Sequence, residues 1–170
     1  MVVSITSADR VSMESGPFDL RALAVRDAGA VAKVVRSAFA AQSRATQPPS
    51  SALRETGETV ADKIAAGGGF GVFDGGRVVA VALWQVDGDA LVIGRVSVLP
   101  AWRGRGLSAR LIASCEQRAR ALSLKKTRLR VRLALPENER LFRRLGYARA
   151  NVEAHSGFDA PTVAALEKPL

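Results

Sequence analysis

Near the middle of the chain runs the segment Ser97-Val98-Leu99-Pro100-Ala101-Trp102-Arg103-Gly104-Arg105-Gly106-Leu107-Ser108-Ala109-Arg110, rich in glycine and arginine. An apolar run over residues 90–98 leads into it and predicts a buried strand. After it, apolar residues recur at helical spacing as far as Leu122, with polar residues mostly on the other side, which predicts a helix. The segment is therefore predicted to form a short loop between a strand and the start of a helix.

This loop has the chemistry that suits a bound pyrophosphate. The start of a helix offers N–H groups without backbone acceptors and the positive end of the helix dipole. Glycines allow an anion to approach the backbone closely, and Arg103 and Arg105 add positive charge. The plainer interpretation, a tight strand-to-helix turn that merely uses glycine, stays open.

Two common phosphate-binding loops fit this segment poorly. A Walker A loop ends in Gly-Lys-Ser or Gly-Lys-Thr, and the segment contains no lysine. A dinucleotide-binding fingerprint matches superficially through Gly104, Gly106 and Ala109. That motif, however, places its first glycine directly at the end of the strand and an acidic residue about 20 residues further on. Here residues 100–103 intervene, and the expected region holds lysines.

A third pattern fits better. The run Arg103-Gly104-Arg105-Gly106-Leu107-Ser108 resembles the acyl-CoA loop of the GNAT N-acetyltransferases, Q/R-x-x-G-x-G/A, with Ser108 in the last position. The preceding Val96-Ser97-Val98-Leu99-Pro100 also resembles that family. Further on, Asn138-Glu139-Arg140-Leu141-Phe142-Arg143-Arg144-Leu145-Gly146-Tyr147 is similar to the late helix of the family, which commonly ends in Leu-Gly-Phe or Leu-Gly-Tyr.

The order of predicted elements agrees with this resemblance along nearly the whole chain after residue 17. Hydrophobic periodicity and turn signals, including the hairpin signals Asp74-Gly75 and Asp87-Gly88, predict strands at 18–24, 70–73, 77–86, 90–98, 126–133, 147–154 and 162–166, and helices at 30–39, 52–66, 107–122 and from Pro136 to Gly146. The predicted fold class is α/β (α+β). It has a mixed, mostly antiparallel sheet of six to seven strands, flanked by four helices and splayed at the acyl-CoA cleft. Residues 1–17 are polar and are expected to form a poorly ordered extension, whereas residues 18–170 are expected to form a single domain.

The resemblance also implies where the cofactor binds. The strand that ends at Val98 and the one that ends near Leu133 would separate, and acyl-CoA would lie between them. Pantetheine would pair with backbone groups of the first strand, the pyrophosphate would lie on the loop amides, and the late helix would border the cofactor. The residues implied in cofactor binding are Val96, Ser97, Val98, Arg103, Gly104, Arg105, Gly106, Leu107, Ser108, Asn138 and Phe142.

The catalytic groups are harder to assign. The N–H near Val98 is the candidate for stabilising the oxyanion. Glu55, in the second predicted helix, and His155 are the candidate bases. The family often has a tyrosine as proton donor where this chain has Phe142, but a thiol with a pKa of about 8.5 can leave with water as its proton donor.

The resulting prediction is an N-acyltransferase that moves an acetyl group from acetyl-CoA to a primary amine, on a small molecule or a peptide, by direct attack in a ternary complex. A silent acyl-CoA-binding module is the alternative. A basic nucleic-acid-binding domain is a weaker one, suggested by the net charge of +9 but opposed by an aromatic content of 5%. A homodimer, common in the family, is allowed.

Other features limit the partners and the compartment. Cys115 is the single cysteine and cannot form an internal disulfide, so a reducing, cytoplasmic location is expected. No cluster of His, Cys and carboxylate residues has metal-ligand spacing, and no apolar run approaches the ~20 residues that span a bilayer, so neither a metal nor a membrane is expected.

Overall fold

A computed structural model describes residues 17–170, so the predicted N-terminal extension lies, except for Pro17, outside the described residues. Seven strands and four α-helices follow one another in that range. In chain order they are β1 (Asp19–Ala22), α1 (Ala28–Ala40), α2 (Gly57–Ala66), β2 (Gly68–Asp74), β3 (Arg77–Asp87), β4 (Ala90–Val98), α3 (Leu107–Ala121), β5 (Lys126–Arg132), α4 (Pro136–Arg144), β6 (Ala148–Glu153) and β7 (Val163–Pro169).

The strands form a single seven-stranded sheet in the order β1-β2-β3-β4-β5-β7-β6. Every neighbouring pair is antiparallel except β4 and β5, which are parallel. The turns at Gly75 and Gly88, both with positive φ, join β2 to β3 and β3 to β4. These observations confirm the predicted fold class and the hairpins that the two Asp-Gly pairs signalled.

The parallel pair opens partway along its length. Residues 90–93 of β4 pair with residues 126–129 of β5, and beyond them the two strands are no longer partners. Because β4 continues to Val98 and β5 to Arg132, a gap opens between the two strands inside the sheet. The predicted splay is therefore present.

A β-bulge lies at the point where the gap begins. Leu83 of β3 lies opposite Gly94 and Val81 lies opposite Ser97, so Arg95 and Val96 together face one residue of β3. Arg95 has a φ of 55°, a left-handed value that is uncommon for a residue other than glycine. Such a bulge bends the strand and disturbs its pairing locally.

Helices cover the first half of the sheet on both faces. Residues 78–83 of β3 are all buried without alternation, the pattern of a strand covered on both sides. Helices α1 and α2 pack together and against β3, while α3 also contacts β3, and β2, β4 and β5. By contrast, every residue of β6 is exposed at the edge of the sheet. None of the helices within residues 17–170 is long and apolar enough to cross a membrane.

The predicted helix over residues 52–66 is wrong in its first turn. Ser51–Arg54 forms a short 3-10 turn, and the chain is extended at Glu55 and Thr56 before α2 begins. The reason is capping, because the Thr56 hydroxyl accepts a hydrogen bond from the Thr59 N–H at 3.2 Å and starts a new helix there. At the other end, Gly68 and Gly69 belong to β2 instead of ending the helix.

Candidate active site

The loop before α3 has the backbone that its glycines predict. Gly104 and Gly106 have φ values of 75° and 71°, in the left-handed region that other residues rarely adopt. A Cβ built on either glycine would meet no atom within 4 Å among the described residues. These glycines are therefore required by the backbone conformation and leave open space beside it.

The start of α3 faces this open space with several N–H groups. The first backbone hydrogen bond of the helix runs from the Arg110 N–H to the Gly106 carbonyl at 3.2 Å. The N–H groups of Leu107, Ser108 and Ala109 precede that bond and have no acceptor within α3. With the positive end of the helix dipole, they form a site suited to an anion.

A cavity of about 560 Å³ extends from this loop into the gap between β4 and β5. Ten of the eleven residues predicted to bind the cofactor line its wall, namely Val96, Ser97, Val98, Arg103, Gly104, Gly106, Leu107, Ser108, Asn138 and Phe142. Arg105 is the exception. The structure thus brings the loop motif and the late-helix motif to one cavity, although residues 109–137 separate them in sequence.

The backbone of β4 also faces this cavity. The Leu99 N–H donates to the Val79 carbonyl at 2.9 Å, so Leu99 directs its polar backbone groups toward β3. Because these groups alternate in direction along a strand, those of the preceding residue, Val98, point the other way, toward the gap. The Val98 carbonyl accepts a hydrogen bond from Arg103 Nε at 3.3 Å.

The two loop arginines also make hydrogen bonds within the protein. The Arg103 guanidinium donates to the carbonyls of Ala38 and Ala41, at 3.2 and 3.3 Å, and so ties the end of α1 to the end of β4. The Arg105 guanidinium donates to the Ala101 carbonyl at 3.3 Å and lies 5.7 Å from the centre of the Phe18 ring. Both side chains therefore brace the loop, and of the two only Arg103 lines the cavity.

The late helix contributes an apolar wall. Phe142 is only 7% exposed and meets the Tyr147 ring edge to face, with the ring centres 6.1 Å apart. The Tyr147 hydroxyl lies 2.8 Å from Thr127 Oγ1, and burial raises its pKa well above the ordinary value. Burial likewise raises the pKa of Cys115 to about 12. Neither group lines the cavity or is suited to exchange a proton near neutral pH.

Glu55, predicted to lie in a helix and to act as a base, lies instead in the extended turn before α2 and does not line the cavity. It is 3% exposed, and its carboxylate pairs with Arg95 Nε at 2.7 Å and Lys63 Nζ at 3.0 Å. Burial alone would raise the pKa of Glu55, but hydrogen bonds from Thr59, Arg95 and Lys63 outweigh it and hold that pKa below its usual value. The arrangement anchors the bulge residue Arg95.

His155 lies in the connection between β6 and β7 and does not line the cavity either. Its Nδ1 is hydrogen-bonded to the Thr162 hydroxyl. Burial and the charges of Arg132 and Arg130 lower the pKa of His155 below its ordinary value, so the neutral imidazole is favoured near pH 7.

Sequence reasoning missed several charged residues of the cavity wall: Arg95, Arg130, Arg132 and Glu137. The alternation at Arg128, Arg130 and Arg132 predicted a strand, but nothing local marks which of these arginines faces a cavity. Glu137 is hydrogen-bonded to Ser43, across the mouth of the cavity from α1. Within residues 17–170 no group of three or more His, Cys, Asp or Glu side chains is arranged to hold a metal ion.

Comparisons with known proteins agree with this geometry. Residues 36–147 match the model of the Acetyltransferase (GNAT) family. A search of curated proteins gave no match. Among solved structures, the chain is similar to the PaiA N-acetyltransferase of Thermoplasma acidophilum in complex with coenzyme A, with a TM-score of 0.74, 15% identity, and coverage of 90% of this chain and 99% of that one.

Two other structures are similar to the same extent. The ribosomal-protein-S18-alanine N-acetyltransferase of Escherichia coli has a TM-score of 0.72 and 18% identity, over 89% of this chain and 93% of its own. An N-acetyltransferase of Staphylococcus aureus has a TM-score of 0.70 and 14% identity, over 91% and 99%. At these identities the structures establish the fold, while the family match covers most of the chain and includes both sequence motifs. The chain belongs to the GNAT acetyltransferase family.

Proposed function

We propose that this protein transfers an acetyl group from acetyl-CoA to a primary amine, by direct attack of the amine on the thioester in a ternary complex. The observation that carries the proposal is the cavity between β4 and β5, which ends at the N-terminus of α3 beside Gly104 and Gly106. A pyrophosphate and a polyamide arm are the two features of CoA that such a cavity suits. The bound coenzyme A of the similar Thermoplasma protein supports the same donor.

In this proposal the loop amides from residue 103 to residue 108 hold the diphosphate. Backbone groups near Val96 and Val98, at the edge of β4 that borders the gap, pair with the pantetheine amides as a missing strand would. Asn138 and Phe142 form the opposite wall. Acetyl-CoA supplies the activated acyl group, and the chain supplies its position.

The chemistry needs little more than positioning. Holding an amine and a thioester together replaces a bimolecular encounter, and well-oriented groups can gain roughly 7 kcal/mol or more from this alone. A β4 N–H near Val98 would stabilise the charge that develops on the thioester oxygen. Glu137 is the one carboxylate in the described cavity wall, and it is bonded to Ser43. We therefore assign proton transfer to water, with Glu55 positioning Arg95 and not acting as the base.

The test is amine-dependent release of CoA thiol from acetyl-CoA, measured with a panel of small amines and peptides. The expected result is release above the hydrolysis rate for at least one amine. In parallel, CoA at 100 times its Kd should stabilise the fold by about 2.7 kcal/mol.

The same experiment separates the alternatives. Stabilisation by CoA without transfer to any amine would identify a silent acyl-CoA-binding module. Absence of stabilisation would contradict the proposal, and binding of a nucleic acid instead would then support the third interpretation.

A further inference from the structure

Four arginines line the cavity, and three of them are already satisfied. Arg95 pairs with Glu55, Arg103 donates to backbone carbonyls, and Arg130 pairs with Glu153. The fourth, Arg132, differs. Its Nη1 is buried and has no hydrogen-bond partner within residues 17–170, and no ion pair found in that range includes Arg132.

A guanidinium in this state is costly to the protein. Leaving a buried donor unpaired has a cost in free energy, and this cost is larger for a charged group. Burial, and the neighbouring charge of Arg130, lower the pKa of Arg132 below its ordinary value, which reflects the same cost. An anion that entered the cavity and bound Arg132 would remove this penalty, and charge-assisted hydrogen bonds to a carboxylate or phosphate are strong.

The position of Arg132 argues against an interaction with the diphosphate of the donor. Arg132 ends β5, on the other arm of the split sheet from the β4 backbone and from the loop that leads into α3. The charges of Arg132 and Arg130 contribute to lowering the pKa of His155, which lies in the connection between β6 and β7. The N–H groups at the start of α3 already supply hydrogen-bond donors for the donor diphosphate. The pantetheine arm, which is the part of CoA proposed to lie between β4 and β5, carries no charge that would pair with Arg132.

We propose that Arg132 binds an anionic group, a carboxylate or a phosphate, on the acceptor, so that the acceptors are amines that also carry an acid. This inference rests on the proposed acetyl transfer and names its substrate class. Selectivity follows because a neutral or cationic amine would leave the buried Nη1 of Arg132 without a partner. Sites built around a buried polar group discriminate strongly against analogues that lack its partner.

The test uses matched amines that differ only in the acid. β-Alanine is compared with β-alaninamide for the carboxylate, O-phosphoethanolamine with ethanolamine for the phosphate, and spermidine serves as a polycation. For the wild-type protein we expect kcat/KM to be at least tenfold higher for the acidic member of at least one pair. The pair that shows the preference tells carboxylate from phosphate.

Three variants assign the preference to Arg132. Arg132→Met removes the charge at similar length. It should abolish the preference, so that kcat/KM is about equal for the two members of a pair, and it should leave the KM for acetyl-CoA unchanged. Arg132→Lys keeps the charge and should restore part of the preference. Arg128→Met is the matched control, because Arg128 lies four residues earlier on the same strand, pairs with Glu167 and does not line the cavity.

Each outcome is decisive. Equal kcat/KM within both pairs, a preference for spermidine, or a preference that survives Arg132→Met would overturn the assignment while acetyl transfer stands. A KM for acetyl-CoA that rises with Arg132→Met would place Arg132 in the donor site and also overturn it. If no amine is acetylated, the proposed function fails, and calorimetric binding of β-alanine and O-phosphoethanolamine to the CoA-loaded protein decides instead. Binding of either that is lost in Arg132→Met supports the anion site, and absence of binding overturns it.

Discussion

Two glycine-rich segments of this chain look alike in sequence and do different work. In the first, at the start of β2, a Cβ on Gly67 would lie 2.0 Å from the Trp84 carbonyl oxygen, and one on Gly69 would lie 2.8 Å from the Leu83 side chain. In the second, the loop before α3, a Cβ on Gly104 or Gly106 would meet no described atom within 4 Å. The first glycines make room for the protein itself, whereas the second leave room beside a helix terminus.

The space around a glycine thus distinguishes one that is needed for packing from one that can border a binding site, before any ligand is considered. At the start of β2 the backbone of β3 and the side chains around it occupy the space, so substitution should act on stability. At the loop the surrounding space is open and N–H groups face it, so substitution should act on binding.

Gly106→Glu should abolish binding of CoA, and it should also cost about 1–2 kcal/mol of stability because a side chain is strained at the left-handed φ of Gly106. The new carboxylate would occupy the open space at the start of α3 and repel the diphosphate, and we expect a loss of at least about a thousandfold, or about 4 kcal/mol. Calorimetric titration with CoA measures it. Gly88→Glu is the control, since Gly88 also has a positive φ and open space but lies in the turn before β4. If the two variants bound CoA with equal affinity, the distinction between the glycines at the start of β2 and those in the loop before α3 would be wrong.

Gly67→Ala should destabilise the fold by about 3 kcal/mol, because the Cβ would overlap the carbonyl oxygen of Trp84 and the backbone would have to shift. Chemical denaturation measures the free energy of unfolding. Any loss of CoA affinity should follow the loss of folded protein. A variant as stable as the wild type would show that the packing at the start of β2 tolerates a side chain.

Glu55→Gln should destabilise the region just before α2, by roughly 2 kcal/mol at pH 7. This is less than for a fully buried pair, because Arg95 and Lys63 are partly exposed. The folded-state pKa of Glu55 is depressed. Its contribution is therefore present above the ordinary glutamate pKa of about 4.3 and is lost as pH falls through the lower folded value.

Denaturation at a series of pH values should accordingly show the wild type and the Glu55→Gln variant converging below about pH 4. Glu58→Gln is the control, since Glu58 is exposed in the first turn of α2 and pairs with no cation within the described residues. A stability difference that does not depend on pH would mean that the carboxylate charge of Glu55 contributes nothing.

Gly29→Ala should have the smallest effect and the opposite sign. Gly29 is exposed in the first turn of α1, and a Cβ there would meet no described atom within 4 Å. With a normal helical backbone, alanine should stabilise the protein by about 0.5 kcal/mol. Thermal denaturation measures it, and a destabilised variant would show that open space alone does not predict tolerance.

The sequence predicted those features whose signals are local. The hairpins at Gly75 and Gly88 follow from Asp-Gly pairs between apolar runs, and the loop before α3 follows from Gly104 and Gly106 at a strand-to-helix junction. Each requires only a few consecutive residues. The helix and the hairpin predicted after Pro136 likewise rest on short apolar runs and on Gly146 and Gly157.

The features that sequence reasoning missed depend on residues far apart in the chain. Arg95 adopts a left-handed φ although it is not glycine, and its side chain is held by Glu55, 40 positions earlier. Arg103 points at the end of α1 because that helix happens to end beside the loop. Arg132 Nη1 has no partner among residues 17–170, and Arg132 lies beyond the point where β4 and β5 separate, which the alternation of β5 does not reveal.

The most direct test of the account is a crystal structure of the protein with CoA bound. We predict that the diphosphate oxygens lie about 3 Å from the backbone nitrogens of the loop between Arg103 and Ser108, a normal hydrogen-bond distance. The pantetheine arm should pair with Val96 and Val98. A complex in which the diphosphate binds elsewhere and this loop contacts no part of CoA would contradict the account.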